Sequence, residues 1–373
     1  GVASPVGGWG GHRAAGFTKG VGGERAVAAM RVLVFGGTYF VGKAIVEGLL
    51  AAGHSVTIHN RGVSRPTAAE LFPSADHIQG DRFGTLSELA GQSWDVAIDV
   101  NGYLPLSVFT STAALADSVG RLCFISTVSV LDGARGSSAS LLTEDGAKAG
   151  FSADELEALG GDPWEATDRQ GDIWYGPMKA LCEEAAERAM PGRVLTVRPG
   201  IVAGSDCGPS YALWSCFFTW WPHRLSRRDG AAVLAPPRET TWQLIDVRDL
   251  SSFVLQLVED AGAVGVYNAV NTYTVGEVLD ACADAAAGAS PPVYNASSDW
   301  LRAEGITMEE LPLWTLPGEN TWVDHSKATA AGLGRRSAAE MVAEARNYTP
   351  AEGEMTWGLE AAREAELVRR WTH

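Results

Sequence analysis

Cysteine is scarce in this chain of 373 residues. The five present (Cys123, Cys182, Cys207, Cys216 and Cys282) are scattered, odd in number and free of any CxxC pair. That distribution excludes a disulfide frame and a structural zinc site, and it predicts a reduced, cytoplasmic protein. Histidine is almost as sparse, seven in all, with none in an HExxH spacing, so no metal is expected. Positive charge is in deficit: 29 Lys and Arg stand against 45 Asp and Glu, a formal charge of −16. Nucleic acid and anionic membrane are therefore poor candidates for the main partner. Long apolar runs are also missing. The most apolar, Tyr211 to Trp221, is too short to span a bilayer. The N-terminus lacks the charged-then-apolar order of a signal peptide.

What is present is an alternation of strands and helices. Residues 1–29 are rich in Gly and Ala without sustained periodicity and read as a disordered extension. Arg31-Val32-Leu33-Val34-Phe35 is then a continuous apolar run, as expected of a parallel strand covered on both faces. Lys43 to Ala52 has helical spacing and ends at Gly53. Further strands are expected at Ser55–His59, Trp94–Val100, Arg121–Ser126 and Arg193–Val197. Such repeats predict an α/β fold: a doubly wound parallel sheet (Rossmann) with a smaller, mainly helical C-terminal lobe for substrate. The boundaries read as 30–203 with 243–271 for the nucleotide-binding domain, and 204–242 with 272–373 for the lobe. An acidic insertion, 137–168, precedes the Tyr175 segment. It reads as a long loop with a short helix at Asp154–Leu159, placed to act as a flap.

Two constellations carry chemistry. The first is the turn Gly36-Gly37-Thr38-Tyr39-Phe40-Val41-Gly42, directly after a strand and before a helix. Gly36 allows the tight reversal, Gly42 permits close helix packing, and the helix N-terminus offers free N–H groups to a pyrophosphate. Tyr39 stands where the stricter glycine pattern has its second Gly, so Gly37 and Thr38 would compensate. The next strand ends in Asn60-Arg61 without a carboxylate. An arginine there suits a 2′-phosphate, so NADP(H) is preferred, with NAD(H) as the alternative. Asp81 is placed at the end of the third strand to meet the adenine.

The second constellation is Tyr175 and Lys179, one helical turn apart. An ammonium beside a phenol favours the phenolate and lowers its pKa, and the same group can bind the nicotinamide ribose. A hydroxyl to polarise a substrate oxygen is available at Thr127, at the carboxyl end of a strand. Trp220, Trp221 and Arg224 are candidate substrate contacts, although aromatics in such a cluster usually pack lobes together.

With these residues on the page the chain resembles the extended short-chain dehydrogenase/reductase superfamily, the NAD(P)-dependent epimerase/dehydratase family. It is most similar to an atypical branch with Gly-Gly-Thr-x-Phe-x-Gly in the turn and Asn-Arg-Gly after the second strand. Val197-Arg198-Pro199-Gly200, Leu244–Leu250 and Val266-Tyr267-Asn268 extend the resemblance over most of residues 30–340. It implies Thr127, Tyr175 and Lys179 as catalytic groups, Pro199, Gly200 and Ile201 near the nicotinamide, and a homodimer. Val128-Ser129 follows Thr127 where family dehydratases carry Asp-Glu, which disfavours dehydration. The implied activity is reduction of a small organic carbonyl with NADPH. The alternatives are an epimerase acting on a nucleotide sugar or similar polyol, and a non-catalytic cofactor- or RNA-binding protein.

Overall fold

The computed structural model describes residues 28–64, 66–132, 141–166, 174–205, 216–227, 230–286, 290–314, 322–347 and 357–372. Nearly all of the expected N-terminal extension lies outside them, as do parts of the 137–168 insertion.

The apolar run after Met30 becomes β1 (Arg31–Phe35), which pairs in parallel with β2 (Ser55–Asn60) and β4 (Trp94–Asp99). β3 (Asp76–Gln79) lies beyond β2; β5 (Val119–Ile125), β6 (Val194–Pro199) and β10 (Gly265–Ala269) extend the other side. The seven strands run β10-β6-β5-β4-β1-β2-β3 and all pair in parallel. Strand order therefore reverses between β1 and β4, and a crevice for ligand is expected above that point.

Alternation along β1 separates two cores. Val32 and Val34 pack with Ile45, Val46 and Leu49 of α1 (Phe40–Ala51) and with Leu250, Phe253 and Leu257 of α7 (Val247–Glu259). Leu33 and Phe35 pack on the opposite face with α3 (Pro105–Leu115) and α5 (Tyr175–Ala189). Burying each such side chain contributes roughly 1.5–3 kcal/mol, so both faces of the sheet are committed. α2 (Ala68–Leu71) sits between β2 and β3.

The insertion carries α4 (Ala153–Leu159), close to the expected helix, with a capping box between Ser152 and Glu155 and an αL residue, Gly160, at its end. Its base is pinned: Leu142 bridges to Val323 and Lys148 to Leu131.

A third core builds the second lobe. β7 (Ile201–Ala203), β9 (Thr241–Asp246) and β11 (Asn271–Thr274) form one small sheet. β8 (Val233–Ala235) and β12 (Val293–Asn295) form another. Helices α6 (Cys216–Ser226), α8 (Val275–Ala285), α9 (Ser298–Ala303), α11 (Ala338–Ala345) and α12 (Ala361–Thr372) surround them, while α10 (Ser326–Ala330) packs by β10. β9 is the seam. Leu244 joins the lobe core, and its neighbour Ile245 joins the sheet core.

Candidate active site at the carboxyl ends of the strands

The turn after β1 depends on its glycines. Gly36 and Gly37 have φ of 105° and 89°, and the Gly36 N–H donates to the His59 carbonyl at 3.1 Å. A Cβ on Gly42 would lie 2.7 Å from the Gly37 nitrogen. Only glycine tolerates these positions. Phe40 also has positive φ, 34°, and is buried against Val202 and Val247. It wedges the turn against the second lobe while Val41 stays half-buried beside it. The α1 N-terminus has no side-chain cap, so its first-turn amides keep the character of an anion site. Thr38 ties the turn to the next loop by donating to Ser64 Oγ at 3.1 Å.

At the end of β2, Asn60 Oδ1 accepts from the Gly62 N–H at 2.8 Å and meets His77 Nε2 at 2.9 Å. Its Nδ2 is buried without a hydrogen-bond partner. Arg61 is exposed beside it. Asp81 is exposed and accepts from the Phe83 N–H at 3.1 Å. Its neighbour Arg82 turns inward instead. Arg82 grips Asp99 through two hydrogen bonds of 2.8 and 2.7 Å, and also donates to Asn101 and Ser111. This ion pair braces the loop after β4, and nothing in the local pattern around Arg82 announces it.

The proposed catalytic groups gather where β4 and β5 end. Thr127 caps a single 3₁₀ turn, Val128–Val130; its Oγ1 accepts from the Ser129 N–H and donates to Ser129 Oγ, both at 3.2 Å. Tyr175 is the first residue of α5 and half-buried. Gly176 brings α5 against the Thr127 turn so closely that a Cβ would sit 2.3 Å from the Ser129 carbonyl oxygen. Gly176→Ala is therefore expected to cost about 1–3 kcal/mol, the usual penalty of overpacking, and to displace Tyr175. A lower melting temperature together with reduced kcat would show both effects.

Lys179 lies one turn further along α5 and is 2% exposed. Its Nζ donates to the Gly102 and Ile125 carbonyls, both at 2.8 Å, and stands 4.2 Å from the Phe124 ring and 5.3 Å from the Tyr103 ring. Two of its three donors are thus spent on backbone. Tyr103 closes the group: its ring centre is 6.4 Å from that of Tyr175. Burial lowers the Lys179 pKa to about 8, against the opposing pull of Asp99 and Glu183.

Two results follow with opposite signs. A step needing the ammonium is lost as pH rises through about 8, so kcat should decline there. The group's contribution to stability moves the other way. Between the folded value of about 8 and the ordinary 10.5 the unfolded chain binds more protons, so unfolding free energy rises, by on the order of 3 kcal/mol across the window. A pH–rate profile and denaturant titrations, each compared with Lys179→Met, check the pair.

Beneath these residues lies a buried polar network. Ser126 Oγ donates to Glu183 Oε1 at 2.6 Å, and Arg198 grips both Glu183 oxygens at 2.8 and 2.7 Å. Lys148 of the insertion adds an ion pair at 2.9 Å. Arg198 also donates to the Glu144 carbonyl. Pro199 ends β6 and is buried; Gly200 packs so tightly that a Cβ would meet Val270 at 2.7 Å, and Ile201 opens β7.

Trp220, Trp221 and Arg224 are placed elsewhere. Trp220 and Trp221 are buried in the core of the second lobe, and Trp221 Nε1 donates to the Pro312 carbonyl. Arg224 is paired with Glu364 of α12 at 2.7 Å. These side chains hold the lobe together rather than join the crevice group. Among the described residues no His, Cys, Asp and Glu cluster could hold a metal ion, and no helix is long and apolar enough to cross a membrane. Cys123, Cys182 and Cys282 are buried, unbonded thiols whose pKa values burial pushes up to about 12.

The seven-stranded parallel sheet with its reversal between β1 and β4, and the glycine turn that follows β1, define a Rossmann fold. No protein-family model matches the chain. A curated relative, the chloroplast stem-loop binding protein of 41 kDa b of Arabidopsis thaliana, is 33% identical over 91 residues. That match takes in 21% of this chain and only 24% of the relative's length. Among solved structures, yeast methylglyoxal/isovaleraldehyde reductase with NADPH superposes with a TM-score of 0.59 at 16% identity, over 85% of this chain and 97% of that one. UDP-glucuronic acid 4-epimerase from Bacillus cereus with NAD gives 0.57 at 15% identity, over 86% and 98%. At these identities the likeness carries the fold.

Proposed function

We propose that the chain is an NAD(P)-dependent oxidoreductase of the short-chain dehydrogenase/reductase type, and more narrowly an NADPH-dependent reductase of a small organic carbonyl. The observation that carries this reading is the buried Lys179 ammonium, held where β4 and β5 end, with Tyr175 and Thr127 on adjoining segments. The residues of the turn fit a dinucleotide: Gly36 and Gly37 hold positive φ, Gly37 and Gly42 leave no room for a side chain between the turn and its surroundings, and the α1 amides lack a side-chain cap. When bound, the nicotinamide supplies the hydride. Tyr175 donates the proton to the substrate oxygen, Thr127 orients that oxygen, and Lys179 stabilises the phenolate as it forms. The solved neighbours with NADPH and with NAD support a nicotinamide cofactor of either kind.

Preference for NADPH rests on Arg61, exposed beside the unpartnered Asn60 Nδ2. Arg61→Ala is expected to weaken NADPH binding by about 10–100-fold and leave NADH nearly unchanged, since hydrogen bonds to a charged group contribute about 1.5–3 kcal/mol. Fluorescence titration with both cofactors measures the change, and equal losses for the two would refute the assignment.

Epimerisation is the second reading, favoured by the superposition on a UDP-sugar epimerase. A carbonyl panel followed at the nicotinamide absorbance band decides between the two. Stoichiometric oxidation of NADPH supports the reductase, whereas product without net cofactor change supports the epimerase. The relative's name also motivates an RNA-binding test at moderate salt, although a charge of −16 opposes such binding.

A further inference from the structure

The loop that leads from β4 into α3 joins a buried ion pair to Lys179. Asp99 ends β4 and is 1% exposed. Arg82, from the segment after β3, donates to both Asp99 oxygens at 2.8 and 2.7 Å, and to Asn101 Oδ1 and Ser111 Oγ, each at 2.9 Å. Asp99 Oδ1 also accepts from the Asn101 N–H at 3.1 Å. At the next residue the backbone is pressed against the pair: a Cβ on Gly102 would lie 2.9 Å from Asp99 Oδ2 and 2.6 Å from the Phe124 ring. The Gly102 carbonyl in turn accepts from Lys179 Nζ at 2.8 Å. One residue thus separates the carboxylate from the ammonium. We propose that Arg82 and Asp99 are positioning residues for Lys179, a matched pair of opposite charges that decides, across the Gly102 loop, whether the ammonium keeps its proton. The inference rests on the reading of Lys179 as part of the proposed site.

The other groups around Lys179 leave this role to the pair. Burial is the largest influence on the ammonium, with Cys182, Asp99 and Glu183 pulling the other way and Arg82 reinforcing burial. The Cys182 thiol is itself pushed up to about 12 by burial, so it carries no charge at neutral pH. Glu183 is matched by Arg198 and Lys148. From β5 come the Phe124 ring and the Ile125 carbonyl. α3 and the Thr127 turn, both packed on α5, bring no ionisable side chain. Tyr103 offers its ring at 5.3 Å, and Tyr175 lies one turn back on the same helix. Charges act strongly on one another in a buried setting. Asp99 alone would hold the proton on Lys179, and Arg82 alone would drive it off. Together they leave burial in control.

The test is an NMR titration of the full-length chain, carbon-13 labelled at lysine Cε and free of cofactor and substrate. The Lys179 signal is assigned by its loss in Lys179→Met. Asp99→Asn keeps the side-chain shape and leaves Arg82 facing the ammonium, so the midpoint should fall from about 8 by about one pH unit. Arg82→Gln leaves the carboxylate unmatched, and the midpoint should rise by about as much. Arg82→Lys keeps the charge while giving up the bidentate grip, and should titrate as wild type does. A purely structural brace predicts a different pattern. Its loss would admit water and move the midpoints of Asp99→Asn and Arg82→Lys up toward the ordinary 10.5; that outcome, or no movement in either charge-removing variant, would overturn the proposal. Stranding half of a buried pair is destabilising, so Arg82→Lys remains decisive if the other two do not fold. The alkaline limb of kcat should follow the NMR midpoint in each variant. A limb that stays fixed while the midpoints move in opposite directions would count against the reductase reading of Lys179 and not against the pair.

Discussion

Tyr175→Phe is expected to lower kcat for carbonyl reduction by about 10²–10⁴-fold, the usual contribution of a positioned general acid, while NADPH affinity stays within about threefold, as when a transition-state interaction alone is lost. The expectation rests on how little the change disturbs. Phe keeps the ring that lies 6.4 Å from Tyr103, keeps the start of α5, and leaves Lys179 on its two carbonyls. Only the hydroxyl is removed. Stopped-flow transients at the nicotinamide band, with NADPH Kd from fluorescence, separate chemistry from binding. A second phenol makes the experiment sharper. Lys179 Nζ stands 5.3 Å from the Tyr103 ring, so Tyr103 is the alternative proton donor if Tyr175→Phe retains full activity. In that case Tyr103→Phe would carry the loss, and the assignment of Tyr175 would fall.

How much of this was legible in the sequence depended on range. β1 and α1 announce themselves by local pattern: a continuous apolar run, then helical spacing closed by Gly53, whose φ is 86°. The short helix expected at Asp154–Leu159 appears as α4, and its cap, Ser152 with Glu155, is a contact only three residues long. The third strand was expected to end at Asp81 but was given no bounds, since Asp76-His77-Ile78-Gln79 has one aliphatic residue and no strong alternation. The lobe was expected to be mainly helical; its two small sheets were missed because β7, β8 and β12 have three residues each. Charged partnerships were the least visible. Arg82 with Asp99, Arg224 with Glu364, and Glu183 with Ser126 and Arg198 join residues 15 to 140 positions apart. Sequence spacing carries no signal for such pairs. That is why Trp220, Trp221 and Arg224 looked free to meet substrate, whereas burial and Glu364 occupy them.

Glu183→Ala should have the largest effect on stability, a loss of about 3–5 kcal/mol, because it leaves a buried charge without its partner. The stranded group is Arg198, fully buried and held by Glu183 through two hydrogen bonds. Ser126 loses its acceptor in the same step, one residue before Thr127, so the Thr127 turn should loosen as well. Urea unfolding measures the first effect and kcat the second. The double variant Glu183→Ala/Arg198→Met should recover much of the stability, since removing both members of a buried pair is often nearly neutral. It should not recover kcat, because Ser126 remains without its partner. The pH dependence gives an independent check. Burial works to raise the Glu183 pKa, but hydrogen bonds and charge from Arg198, with Lys148 and Ser126, hold it below the usual carboxylate range. A carboxylate held down in this way contributes fully above its unfolded pKa and loses that contribution as pH falls through the folded value. Wild type should therefore shed stability on acidification more steeply than the double variant. Parallel acid-unfolding curves for the two proteins would place the strength of the network elsewhere.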